Sequence, residues 1–227
     1  MASVLENASI QDFQEFVNMV YVLPNDMDYE LGEMLLNLQR SATRSIKGIR
    51  QGDSEKAKTN TLLSLSWFTS TMIRLHINVE EALWKRFPYL CSYCGKLPCS
   101  CKKEAVHKRR NVPVNDSKRP ETIKEFQQMF NEIYPPSTRT LEIAGLHLAE
   151  ELGELSQAIQ VFRWGKSDSD FEIVAKEAAD YLSTVFGVFN SLKADLGKEL
   201  AKAFYDNCHA CHKAPCECQY PFVKRFK

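Results

Sequence analysis

Apolar residues recur three and four positions apart along most of this chain. Across 141–162 (LEIAGLHLAEELGELSQAIQVF), Leu141, Ala144, Leu148, Leu152, Leu155 and Ile159 fall on one stripe. Across 171–193 the same holds for Phe171, Val174, Ala178, Leu182, Val185 and Phe189. A helix turns every 3.6 residues, so each stripe becomes one apolar face. No run alternates strictly, and no Asn-Gly or Asp-Gly pair marks a hairpin. The nine prolines fall outside the periodic segments. The pattern predicts an all-α protein, apart from two cysteine-bearing segments.

Those segments read CSYCGKLPCSC (91–101) and CHACHKAPCEC (208–218). Both are C-x-x-C-x-x-x-x-C-x-C, and together they hold all eight cysteines. They lie 117 positions apart, from Cys91 to Cys208. Holding that spacing, 31–101 aligns with 148–218 without a gap, and 19 of the 71 pairs are identical. The identities include Leu35/Leu152, Leu38/Leu155, Gly48/Gly165, Leu65/Leu182, Leu83/Leu200 and Phe87/Phe204, residues of the kind that hold a fold. Upstream, SIQDFQEFVNMVY (9–21) matches TIKEFQQMFNEIY (122–134) at an offset shorter by four. The whole unit is therefore duplicated, and two units are too few for a solenoid. The expected architecture is a pseudo-twofold helical bundle, a fused version of a homodimer that could dimerise again. Its parts are a first repeat (1–101), a linker (102–121) and a second repeat (122–227). The linker is rich in Lys and Arg and is expected to be an exposed tether, with a basic arm for an anionic partner as the alternative.

Bulk properties narrow the function classes. Lys+Arg and Asp+Glu both number 29, so net charge makes no case for nucleic acid or an acidic membrane. No apolar run approaches the roughly 20 residues that span a bilayer. No signal peptide is visible, which makes a cytoplasmic location the expectation. In a reducing compartment, clustered cysteines serve more often as metal ligands than as disulfides. Four cysteines within eleven residues can wrap one tetrahedral Zn²⁺. One zinc is expected on Cys91, Cys94, Cys99 and Cys101, and another on Cys208, Cys211, Cys216 and Cys218, both structural. Disulfides are the alternative, and His209 and His212 are substitute ligands in the second segment.

Candidate chemistry lies in the second repeat. Glu151 and Glu154 sit three apart in HLAEELGELSQAI, and Glu177 and Asp180 three apart in AKEAADYLSTV. Helices place each pair on one face, and an antiparallel return would aim all four carboxylates at one spot. Such a cluster repels itself unless a hard cation such as Mg²⁺ sits among the oxygens. The first repeat has Met34, Asn37, Asn60 and Leu63 at the matching positions. All four acids are missing while the core leucines remain, so the quartet behaves as one functional unit. His147, one turn before Glu151, is within reach but reads as a core histidine.

E-x-x-E followed by E-x-x-D on paired helices resembles the all-α NTP pyrophosphohydrolase superfamily, which includes MazG proteins, dCTP pyrophosphatases and dimeric dUTPases. The likeness covers about residues 122–207, with 9–90 as a degenerate copy. EELGELSQAIQVFRWGKSD (150–168) is similar to the MazG-like and dCTP pyrophosphatase pattern, followed by KEAADYL (176–182) and a third helix ending in Asn. The trailing cysteines resemble those of some MazG-like proteins. The resemblance implies Mg²⁺-dependent cleavage of nucleoside triphosphates to monophosphate and pyrophosphate. It further implies Glu151, Glu154, Glu177 and Asp180 as catalytic metal ligands, one glutamate also handling the attacking water. Trp164 matches an aromatic that packs on the base, and Asn207 an asparagine that contacts nucleotide. Lys202 lies one residue from the usual lysine, while Arg163 and Lys166 are alternative phosphate partners. The alternative expectation is a non-catalytic nucleotide-sensing or scaffold protein with structural zinc sites.

Overall fold

A computed structural model describes residues 1–106, 108–110, 112–135, 137 and 139–218. All regular structure among them is helical. Helix α1 (Ile10–Val17) runs through a π-helical turn (Asn18–Val22) into α2 (Leu23–Asp28). Then come α3 (Leu31–Gln51), α4 (Ser54–Arg74), α5 (Val79–Arg86) and the short α6 (Cys101–Glu104). The second half holds α7 (Ile123–Ile133), α8 (Leu141–Gly165), α9 (Asp168–Ser191) and α10 (Leu196–Ala203). No described helix is long and apolar enough to cross a membrane.

Local chemistry recurs at the spacing read from the sequence. Ser9 and Thr122 each open a helix with a capping box, satisfying two backbone donors reciprocally. Asn78 and Asp195, 117 apart, cap α5 and α10. Gln14 donates to the Ile77 carbonyl and accepts from the Val79 N–H; Gln127 does the same with Ala194 and Leu196. Gly48 lets α3 and α4 close on each other: a Cβ there would lie 2.7 Å from the Ala57 backbone nitrogen.

Two contacts locate the relation between the halves. Gln39 donates to Ser156 at 2.9 Å, and Tyr181 donates to Ser64 at 3.1 Å. Each pair is a residue meeting its own counterpart 117 positions on, which happens only beside a twofold axis. The axis thus passes between α3 and α8 and between α4 and α9. One continuous core spans both halves, with the Phe68 and Tyr181 rings packed at a tilt, 4.9 Å between centroids, across it.

The third helices are exchanged. Helix α5 packs on α9, and α10 on α4. The polar linker between the halves is mostly exposed, yet it is anchored and does not hang as a free tether. Arg119 pairs with Glu80 and Glu81 of α5, and Asp116 accepts from the Trp84 indole at 2.7 Å. Its charges found acids on the first repeat, a pairing that composition does not reveal.

Candidate functional site

Helices α8 and α9 form the antiparallel pair that brings the acids together. Oxygens of Glu151, Glu177 and Asp180 all lie within 4.8 Å of one another. Glu154 lies exposed one turn along α8, close enough for its charge to act on Glu177. Glu151 Oε2 and Glu177 Oε2 are buried with no hydrogen-bond partner among the described residues. A buried carboxylate oxygen left this way is costly to ionise. Burial, then the charges of Asp180, Glu154 and Glu177, push Glu151 up to about 8. Burial, then Asp180 and Glu154, push Glu177 up to about 7. Burial also raises Asp180, against the opposing pull of Arg86. Such a group fits a divalent cation: oxygen donors, close spacing, and lone pairs with nothing else to hold.

Two arginines from outside the second repeat reach this cluster. Arg86, the last residue of α5, grips Asp180 with both its Nε (3.0 Å to Oδ1) and its terminal nitrogen (to Oδ2). Arg109 of the linker donates to the same Oδ2 at 3.2 Å, its guanidinium 5.4 Å from the Tyr93 ring centre. Sequence reasoning missed both. A signal existed for Arg86: its counterpart is Ala203, and that of Asp180 is Leu63, so charge is gained at both positions in one site and neither in the other.

The cysteines form two four-sulfur clusters, each within 4.8 Å, and none is disulfide-bonded. Sulfurs around tetrahedral zinc at about 2.3 Å lie about 3.8 Å apart. Cys91–Cys101 measures 3.6 Å, and Cys208–Cys218 and Cys211–Cys216 both 3.8 Å. Both clusters are therefore consistent with zinc sites.

Exchange of the third helices decides which cluster neighbours the acids. The Cys99 N–H donates to the Ile133 carbonyl, at the end of α7, and Tyr134 donates to Cys91. Arg139 lies over the Tyr134 ring, 4.9 Å from its centre, and its pKa is lowered mainly by burial, against the opposing influence of Tyr134, Cys99 and Glu151. It lies flat on α9 because Gly187 has no side chain: a Cβ would sit 2.4 Å from Arg139 Nη1. The second knuckle, which follows Asn207 in sequence, instead docks on the first repeat through Cys216 N–H to Val20 and Tyr21 with His209.

The remaining candidates are not gathered at the acids. Lys202 lines a cavity with Glu55, Lys58, Leu63 and Glu199, over the first repeat. Asn207 accepts from the Ala2 N–H and donates its backbone N–H to the Ala2 carbonyl, both at 2.7 Å. Trp164 is 87% exposed at the end of α8, about 15 Å of helix beyond Glu154. Lys166 caps that helix in a left-handed conformation, exposed. Arg163 reaches toward Gly32 of α3. His147 is half-buried, its pKa lowered by burial and by Arg139. No protein-family model, curated protein or solved structure matches this chain.

Proposed function

We propose that the chain is an Mg²⁺-dependent nucleoside triphosphate pyrophosphohydrolase of MazG-like type, releasing monophosphate and pyrophosphate. One observation carries the reading: oxygens of Glu151, Glu177 and Asp180 converge between α8 and α9, two of these acids with an orphaned buried oxygen and Glu154 exposed one turn along α8, while the first repeat keeps the scaffold and none of the acids. Four carboxylates against Arg86 and Arg109 leave two negative charges when all are ionised, which one divalent cation balances. Glu151, Glu154, Glu177 and Asp180 would hold it. Mg²⁺, when bound, supplies Lewis acidity and shields phosphate charge.

The chain's own groups would do the rest. Arg86 and Arg109 hold Asp180 in one rotamer by three hydrogen bonds. Glu154, exposed beside the half-buried Glu151 and Glu177 and the buried Asp180, is the carboxylate open to an attacking water and its proton. Water attack on the α-phosphorus forms the new P–O bond and breaks the bond to the bridging oxygen, so pyrophosphate leaves. The zinc knuckles supply structure, the first of them bracing Arg109 and Arg139.

Turnover of a panel of NTPs and dNTPs with Mg²⁺ tests the reading. Glu154→Gln should abolish pyrophosphate release, whereas Asn37→Gln in the first repeat should leave it within about twofold. A second reading, a nucleotide sensor without turnover, draws on one feature: Arg86 and Arg109 already give Asp180 a resident counter-charge. Nucleotide binding by calorimetry with no product would support it.

A further inference from the structure

The two halves should carry two equivalent grooves where α5 crosses α9 and α10 crosses α4, and they do. Their differences are informative. Over the first repeat, the groove of about 200 Å³ holds Glu55, Lys58, Glu199 and Lys202, two acids against two bases. Lys58 and Glu199 pair across it at 3.1 Å and close it. At the equivalent positions of the other groove stand Ala175 and Ala82. With that ion pair replaced by two methyl groups, the groove opens to about 500 Å³, within the range of small-molecule sites.

Charge changes with shape. Thr59 becomes Lys176 and Ala203 becomes Arg86. The linker adds Arg109 and Arg110, its backbone fixed by the Arg110 N–H to the Tyr93 carbonyl at 3.0 Å. The open groove is thus lined by Lys85, Arg86, Arg109, Arg110 and Lys176 against Glu172 alone. Pairs that engage its outer cations are long and exposed: Lys85 to Glu81 at 3.5 Å, Lys176 to Glu172 at 3.6 Å and Arg110 to Glu104 at 3.7 Å. Exposed pairs of this kind are weak and exchange readily for a better anion. Arg86 and Arg109 line the groove and also hold Asp180, so they connect it to the acidic cluster.

We infer that this groove is a binding site for a short phosphate chain, free or carried on a nucleoside, gripped by cations of the first repeat and the linker together with Lys176 of α9, while the second repeat also supplies the acids. It rests on the reading above only for the cation beside it. Phosphate oxygens take charge-assisted bonds from guanidinium forks and ammonium groups.

Calorimetric titration of the full zinc-loaded chain with sodium tripolyphosphate tests this, with and without Mg²⁺, beside parallel titrations with dNTPs. Binding is expected, weakened at least tenfold in Arg110→Ala/Lys176→Ala, retained in Arg110→Lys/Lys176→Arg and unchanged in Lys47→Ala on α3. Both groove residues are exposed, and a thermal melt confirms folding of each variant. No binding under either condition, or binding that the double alanine variant leaves intact, overturns the inference. The two readings fail separately. Turnover with a KM unmoved in the double alanine variant removes the groove and keeps the enzyme; binding without turnover does the reverse.

Discussion

Arg86 and Asp180 are held together across the boundary between the two copies of the repeat, 94 positions apart in sequence and both largely buried. Breaking a buried pair leaves an uncompensated charge, which costs about 3–5 kcal/mol. Arg86→Ala should lower unfolding free energy by about that much in urea titration. Arg109→Ala, removing a half-exposed partner, should cost about 1 kcal/mol or less. Adding Asp180→Leu to Arg86→Ala recreates the Leu63 and Ala203 combination of the other, acid-free site and should recover most of the loss. Equal costs for the two arginines would contradict this account.

The acids predict an unusual dependence on pH. Glu151 and Glu177 are raised to about 8 and about 7 from an ordinary 4.5. Through that window the folded protein keeps protons that the unfolded chain has released. Stability of the zinc-loaded protein without Mg²⁺ should therefore fall as pH rises from about 5 to about 8. Melting temperatures across that range should show the slope, and Glu151→Gln should flatten it. Added Mg²⁺ should raise the melting temperature more at pH 8 than at pH 6, since it competes with protons for the same oxygens.

Exchange of the third helices makes the two knuckles unequal. Elemental analysis should find two zinc ions per chain. Cys94→Ser should weaken the Mg²⁺-induced rise in melting temperature, because the first knuckle braces Tyr134, Arg139 and Arg109. Cys211→Ser should leave that rise intact while destabilising the amino-terminal end. The opposite pattern would mean that each knuckle serves its own repeat.

Two glycines separate packing from propensity. Gly48→Ala forces a methyl group into the α4 backbone and should cost about 1–3 kcal/mol. Gly153 has open space where its Cβ would be, so Gly153→Ala should stabilise by up to about 1 kcal/mol. Chemical denaturation of both variants checks the pair.

Much of this was legible in the sequence, for physical reasons. Stripes of period 3.6 mark helices whatever they pack on, so α8 and α9 stood out. The i, i+3 acids follow from helix geometry alone, and the cysteine spacing carried the register of the duplication. Partner choice was not legible. The apolar faces of α5 and α10 would fit either repeat, and nothing local says that each crosses to the other. That crossing puts the first knuckle, and Lys85 and Arg86, beside the acids. It also takes Lys202 and Asn207 to the other side of the axis. Arg86 and Arg109 were hidden for a related reason: a lone arginine at a helix end or in a linker reads as a solvated charge until its acid is known. The register did contain a clue in Leu63 and Ala203, which lose the pair together.

Hydrolysis in ¹⁸O-labelled water tests the central claim most directly. The folded, zinc-loaded chain is incubated with Mg²⁺ and each of the common NTPs and dNTPs, and the products are weighed by mass spectrometry. The account predicts equimolar monophosphate and pyrophosphate from at least one substrate, with the label in the monophosphate, and none of either from Glu154→Gln. No cleavage of any substrate, or release of labelled orthophosphate in place of pyrophosphate, would contradict it.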